Sequence, residues 1–240
     1  MPKLEISKVH DAYAQGAECP LCTLMDGAEH TYLVSFQHSR VMEPDVRVKT
    51  NASGFCPDHL GKLFRGENKL GLGLVMLTHM QGKSAELRAA LDGLVEAGRS
   101  GAREQTRKIR QIIESLEALQ DSCFICDLLA QDMARYSWTI LYLWSKDKQF
   151  PAVFRASRGF CLSHFCAVLA TAREVLRGDR LELWLQDAVP LVKRALTGLE
   201  EDLLAFTQLH RSENRSLGTD QVRSALARTL QMLSGRIQRQ

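Results

Sequence analysis

The cysteines and two of the histidines fall in a pattern that the chain uses twice. Cys19-x-x-Cys22 is followed by Cys56-x-x-His59, and Cys123-x-x-Cys126 by Cys161-x-x-His164. Thirty-three residues separate Cys22 from Cys56, and 34 separate Cys126 from Cys161. The two CxxC pairs are offset by 104 residues and the two CxxH pairs by 105. Their flanks agree, since Gly54-Phe55-Cys56 is answered by Gly159-Phe160-Cys161. Each copy supplies three sulfurs and one imidazole, a complete tetrahedral shell for zinc. Two zinc ions per chain are therefore expected, each bound within its own copy. The local loops keep the entropy of closure modest. Exchange of ligands between the copies is the rival arrangement.

The N-terminus, MPKLEISKVHDAYAQ, has no apolar stretch like a secretory signal. A reducing, cytoplasmic setting is thus expected, where structural disulfides are rare. The odd total of seven cysteines also suits a disulfide framework poorly. A redox CxxC normally sits near a βαβ pattern, which is missing. An iron–sulfur cluster takes the same ligand types, so spacing alone leaves it open as the alternative cofactor. Cys166, two residues past His164, is left over and reads as a small buried hydrophobe, a substitute ligand or reactive thiol being the alternatives. His30 falls about two helical turns after Cys22 and is within reach of the first ligand set. With His10, His38, His79 and His210 it reads as an ordinary core or surface histidine.

Cysteine and histidine three apart lie on one face of a helix, and free amides at a helix start favour thiolate charge. Gly54 and Gly159 can turn the chain sharply into those helices. Phe55 and Phe160 are expected to pack over the sulfurs. Three thiolates and a neutral imidazole around a divalent ion leave a net charge near −1. Arg47 and Lys49 before one CxxH, and Arg155 and Arg158 before the other, are candidates to balance it, plain solvated surface being the alternative.

The rest of the chain reads as helix. Asp127 to Lys148 lacks Pro and Gly, and Thr23 to Ser39 is its counterpart. Pro44 and Pro151 break these helices. Asp45-Val46-Arg47-Val48-Lys49 alternates like a short strand, and Ala152-Val153-Phe154-Arg155 also looks extended. New helices begin near Cys56 and Cys161, the second running towards Arg177 and Gly178. Leu87, Leu91, Leu94 and Val95 form a stripe, which Gly98 and Gly101 interrupt and Ile109, Ile112, Leu116 and Leu119 resume. Leu181, Leu185, Val189, Val192, Leu196, Leu199 and Leu203 mark a helix that Pro190 bends or breaks. Val222, Leu226, Leu230, Leu233 and Ile237 mark the last. The fold expected is an all-α helical bundle built from two pseudo-repeats, each with a Cys3His site joining helix starts. Its parts are a first repeat at 15–97, a connecting helix at 98–120, a second repeat at 121–210 and a basic amphipathic helix at 211–240.

The duplicated CxxC…GFCxxH blocks resemble those of an uncharacterised family of bacterial proteins of similar length. The resemblance spans roughly residues 15–210 and rests on the eight ligand residues and their Gly-Phe lead-ins. Some members are labelled automatically as transporter substrate-binding proteins, a label that implies export. No established activity comes with the resemblance.

No catalytic constellation is visible: there is no G-x-S-x-G, no phosphate loop and no H-E-x-x-H. Gly71-Leu72-Gly73 lacks the context of a dinucleotide site. Glu67 and Glu174 lie eight and ten residues past the two histidines, too far for the general base of a zinc hydrolase. Trp138, Tyr142 and Trp144 read as packing residues rather than a binding face. Apolar runs such as Leu72 to Thr78 are too short to span a membrane. A net charge of +3 names no nucleic-acid partner. The six arginines from Arg211 to the C-terminus leave nucleic acid as a lesser alternative. The function expected is a zinc-bearing binding or scaffold protein whose partner is another protein, with homo-oligomerisation possible. An iron–sulfur or thiol protein in electron transfer or metal handling is the alternative.

Overall fold

A computed structural model describes residues 4–38, 40–118, 122–209 and 218–235. Among them the regular structure is helical throughout. The α-helices are α1 Ile6–Ala14, α2 Pro20–Gln37, α3 Pro44–Ser53, α4 Pro57–Arg65, α5 Lys69–Gly98, α6 Ala102–Ala118, α7 Phe124–Lys146, α8 Phe150–Ala156, α9 Leu162–Val175, α10 Asp179–Leu209, α11 Asp220–Arg223 and α12 Ala225–Ser234. A 3₁₀ turn, Arg40–Met42, precedes α3. No helix among the described residues is long and apolar enough to cross a membrane.

Both segments expected to be extended are helices. At the first, Pro44 occupies the opening turn of α3, where its missing N–H costs nothing, and Asp45 follows at the positive end of the helix dipole. Only Val46 and Thr50 of α3 are buried, four apart, so the alternation of Val46 and Val48 carries no strand signal. At the second, the Asp147 carboxylate accepts hydrogen bonds from the amides of Gln149 and Phe150 at 2.7 and 3.0 Å. That nucleates α8 and also lowers the Asp147 pKa. Pro151 starts this helix rather than preventing it.

The chain divides into two units, Met1–Gly27 with Gln131–Gln240, and Ala28–Ala130. The first unit packs around an aromatic row. Tyr13 meets Phe150 edge-on at 5.0 Å, and Phe154 lies 5.9 Å from Phe160. All four are buried, as are Ile140, Leu141 and Trp184. Helix α10 runs unbroken through Pro190 and turns Trp184, Ala188, Leu191, Val192 and Leu199 inward, a face rotated from the leucine stripe expected. Trp138 stacks on Tyr142, and the Trp144 indole donates to Asp187 at 3.0 Å. Leu119, His210 and Ile237 lie outside the described residues.

The second unit has a leaner core of Val41, Val46, Leu63, Leu72, Val75 and Ala97, with Phe36 edge-on to Phe55 at 5.3 Å. Gly71 and Gly73 lie within α5. Many large apolar side chains of α4 and α5 remain exposed, including Phe64, Leu70, Leu77 and Met80.

Candidate metal centres

The sulfurs and imidazoles gather in two groups, Cys19, Cys22, Cys161 and His164 in the first unit, and Cys56, His59, Cys123 and Cys126 in the second. We call them site I and site II. The expected pairing within each copy is therefore overturned: each CxxC meets the CxxH of the other copy. Part of the reason is local. Helix α2, Pro20–Gln37, starts inside the CxxC, and its 15 residues after Cys22 rise about 22 Å along its axis. The return leg is coiled into α3 instead of extended, and its reach is shortened accordingly.

The two sites are built alike. Cys161 precedes α9 and Cys56 precedes α4, both as N-cap residues with nearly the same backbone angles (φ −67, ψ 160 and φ −68, ψ 162). Gly159 and Gly54, two residues earlier, have φ of +97 and +61, angles that side chains resist. One helical turn after each N-cap the histidine points back, so that its Nδ1 faces all three sulfurs. In site I, His164 Nδ1 lies 3.4 Å from Cys19 Sγ, 3.4 Å from Cys22 Sγ and 3.3 Å from Cys161 Sγ. In site II, His59 Nδ1 lies 3.2 Å from Cys56, 3.3 Å from Cys123 and 3.3 Å from Cys126. The bridging sulfur pairs, Cys22–Cys161 and Cys56–Cys126, are both 3.8 Å apart. None of the seven cysteines is in a disulfide. Around one zinc with bonds to sulfur of about 2.3 Å, tetrahedral angles place sulfurs about 3.8 Å apart. The donor sets and their spacing fit such an ion.

The protons respond to this crowding. At His59 burial opposes charge, but hydrogen bonds to Cys123 and Glu29 outweigh it and raise the pKa to about 10. At His164 burial is likewise outweighed by Cys161 and Cys22, and the value is raised to about 9. Burial pushes Cys19 up, while hydrogen bonds from Cys19 and Cys22 pull Cys161 far down. Cys123 falls to about 6 because His59 and backbone amides overcome its burial; Cys126 rises through burial and the proximity of Cys123. These shifts favour an imidazolium at His164 beside a Cys161 thiolate, and one at His59 beside a Cys123 thiolate. A divalent cation would displace those protons, so its binding tightens as pH rises.

Around this shared geometry the sites differ. In site I, Cys19, Cys22 and Cys161 are all at most 2% exposed. The Gly235 carbonyl, at the end of α12, lies 3.0 Å from Cys22 Sγ. In site II, Cys123 is buried, Cys56 half-buried and Cys126 exposed. Its histidine is held from behind: the Glu29 carboxylate accepts from His59 Nε2 at 2.8 Å and from the Lys62 ammonium at 3.0 Å, and Lys62 also reaches Asp58 at 2.8 Å. The loop before α4 is tied to the CxxC segment by Phe124 N–H donating to the Gly54 carbonyl at 3.0 Å and Ser122 to that of Ser53 at 2.7 Å.

Arg47 donates to the Leu74 carbonyl and to Thr78, and Arg155 pairs with Asp187. Lys49 is exposed. Arg158 pairs with Glu18, the neighbour of Cys19, and Arg228 reaches the same carboxylate at 2.8 Å. Phe160 packs against Phe154 and Phe55 against Phe36. Cys166 is exposed, against the expectation of a buried hydrophobe, because it lies on the outer side of α9. His30 is exposed as well, and its neighbour Glu29 is the residue that reaches site II, through His59. Glu29, Lys62, Glu18 and Arg228 were not singled out from the sequence. Seven residues after Cys22, Glu29 stands two helical turns on, which is the one signal that was there.

The model of a family described as a family of unknown function (DUF6062) matches residues 2–240. No curated protein and no solved structure matches the chain.

Proposed function

The chain belongs to that family of unknown function, and we propose that it is a helical protein built around two closed, single-ion zinc sites that serve as structure. The observation that supports this best is the pair of four-ligand clusters, each with all its donor atoms within 4.8 Å of one another. A four-iron cluster puts every ligand on a different iron, around the outside of a cube, and needs them farther apart than ligands of a single ion. A catalytic zinc commonly keeps one position for water, with three protein ligands. Here each shell offers four good protein ligands, which leaves no position for a catalytic water.

What such sites do is pin helix starts. Site II pins α4, and α4 lines with α5 an apolar groove of about 610 Å³ formed by Pro57, Leu60, Phe64, Leu72 and Met76. On this reading the protein acts by binding another protein in the cytoplasm, through surfaces that the metal sites hold in shape. The alternative of nucleic-acid binding through the basic tail is less well supported. Of the tail's described arginines, Arg228 is already engaged by Glu18 and Asp202.

Metal analysis tests the core of the proposal. Protein purified without air should be colourless and carry two zinc ions per chain by native mass spectrometry. After cobalt substitution, thiolate-rich, four-coordinate spectra should ignore added azide. A brown protein, a single ion, or a spectrum that shifts with azide together with metal-dependent hydrolysis would each overturn it.

A further inference from the structure

We propose that the Cys56–Cys126 pair of site II is an oxidation site for hydroperoxides, whose closure to a disulfide releases the ion of site II while site I keeps its own. The inference rests on the reading of both clusters as metal shells. It comes from a contrast the molecule contains within itself. Cys22–Cys161 and Cys56–Cys126 occupy corresponding places, each joining a CxxC to an N-cap cysteine, and each pair is separated by 3.8 Å. Donor chemistry and spacing are therefore matched. Access is not: Cys22 and Cys161 are each 2% exposed, whereas Cys126 is exposed and Cys56 half-buried.

Thiolates bound to a metal keep the electron pair that attacks peroxide, and reaction follows access to the sulfur. The Cys126 sulfur attacks one oxygen of the hydroperoxide. The O–O bond breaks, the other oxygen leaves as hydroxide (an alkoxide for an organic hydroperoxide) and takes up a proton from the buffered medium, and Cys126 becomes a sulfenic acid. The Cys56 thiolate then attacks the Cys126 sulfur. The S–S bond forms, the S–O bond breaks, and the departing hydroxide becomes water. Two thiolates, one hydrogen peroxide and two protons give one disulfide and two waters, the sulfurs supplying both electrons. For this the sulfurs close from 3.8 Å to about 2.05 Å. Cys56 is free to follow because it sits in the extended segment before α4, outside any helix. Cys123 is 3% exposed and Cys126's own amide donates towards its sulfur, which favours Cys56 as the closing partner. The metal is left with Cys123 and His59 alone and departs as the divalent ion.

The test starts from protein shown by native mass spectrometry to hold two zinc ions, then adds a small molar excess of hydrogen peroxide with a chromophoric chelator. One ion should be released about tenfold faster than the other. Peptide mapping should find a Cys56–Cys126 disulfide, and reductant plus zinc should restore the second ion. Cys166→Ser, which removes the other exposed thiol, should leave this response unchanged. Release from both sites at one rate, no release, a Cys22–Cys161 disulfide, or a response that disappears in Cys166→Ser would each overturn the inference while leaving two structural sites standing. A preparation without two ions before any oxidant is added would instead overturn the reading beneath it.

Discussion

Site I and site II use the same four donors, the same N-cap geometry and the same 3.8 Å sulfur spacing, yet they are supported differently. Site I relies on burial: three nearly inaccessible sulfurs and a unit rich in aromatic packing. Site II relies on hydrogen bonding: an exposed sulfur is offset by the Glu29 carboxylate behind His59 and by backbone ties between the loop before α4 and the CxxC. The difference teaches that a metal-ligand motif specifies the donor set, while the surroundings decide how the site fails.

The contrast can be broken most forcefully by removing one ligand from each site. Cys161→Ser should lose one metal and unfold much of the first unit, because it leaves buried thiols without a partner. Apparent binding energies of structural zinc are on the order of 10 kcal/mol, and several of these should be lost here. Cys56→Ser should also lose one metal but retain most helical signal, freeing mainly the loop before α4. Circular dichroism against temperature, paired with metal content, separates the two, and equal losses would erase the distinction.

Glu29→Ala probes the hydrogen-bonded support alone. Partners behind a metal-bound histidine are worth about 10–100-fold in affinity. Competition with a chelator should show that weakening at one ion only, with site I unchanged. If both ions weaken together, Glu29 acts through the fold and not through His59.

The glycines before the N-caps sharpen the comparison at the level of backbone. Gly159→Ala meets nothing closer than 3.5 Å and should cost about 1–2 kcal/mol for its positive φ alone. At Gly54 an added Cβ would also come within 2.8 Å of the His79 ring, so Gly54→Ala should cost more. Chemical denaturation of both variants measures the gap.

How much of this was legible in the sequence follows the range of each interaction. All eight clustered donors are visible because their chemistry demands a fixed local spacing. Helical character is visible where stripes are long, as in α5, α7 and α10. The pairing of donors is not, because Cys22 has an eligible partner 34 residues away in Cys56 and takes one 139 residues away in Cys161. Short helices such as α3 and α8 are hidden because their starts depend on a proline in the first turn or one carboxylate, against an apolar alternation that suggests strand. Glu29 is hidden because a single acid on a helix has no pattern at all until the imidazole it holds is in place.

Crossed pairing also sets a problem of timing. As the chain is synthesised, the first complete Cys3His set to emerge is Cys19, Cys22, Cys56 and His59, which is the wrong one. Site II becomes possible only with Cys126, and site I only with His164. The correct closures are nested, the inner loop lying inside the outer, so once site II has formed the outer ends are joined through segments of 33 and 34 residues rather than across the whole interval. An ion bound early would hold the mispaired set together, whereas one bound after the helices have packed would meet both shells assembled. On the proposed reading, newly made chain is best served by a metal supply that is late or readily reversible.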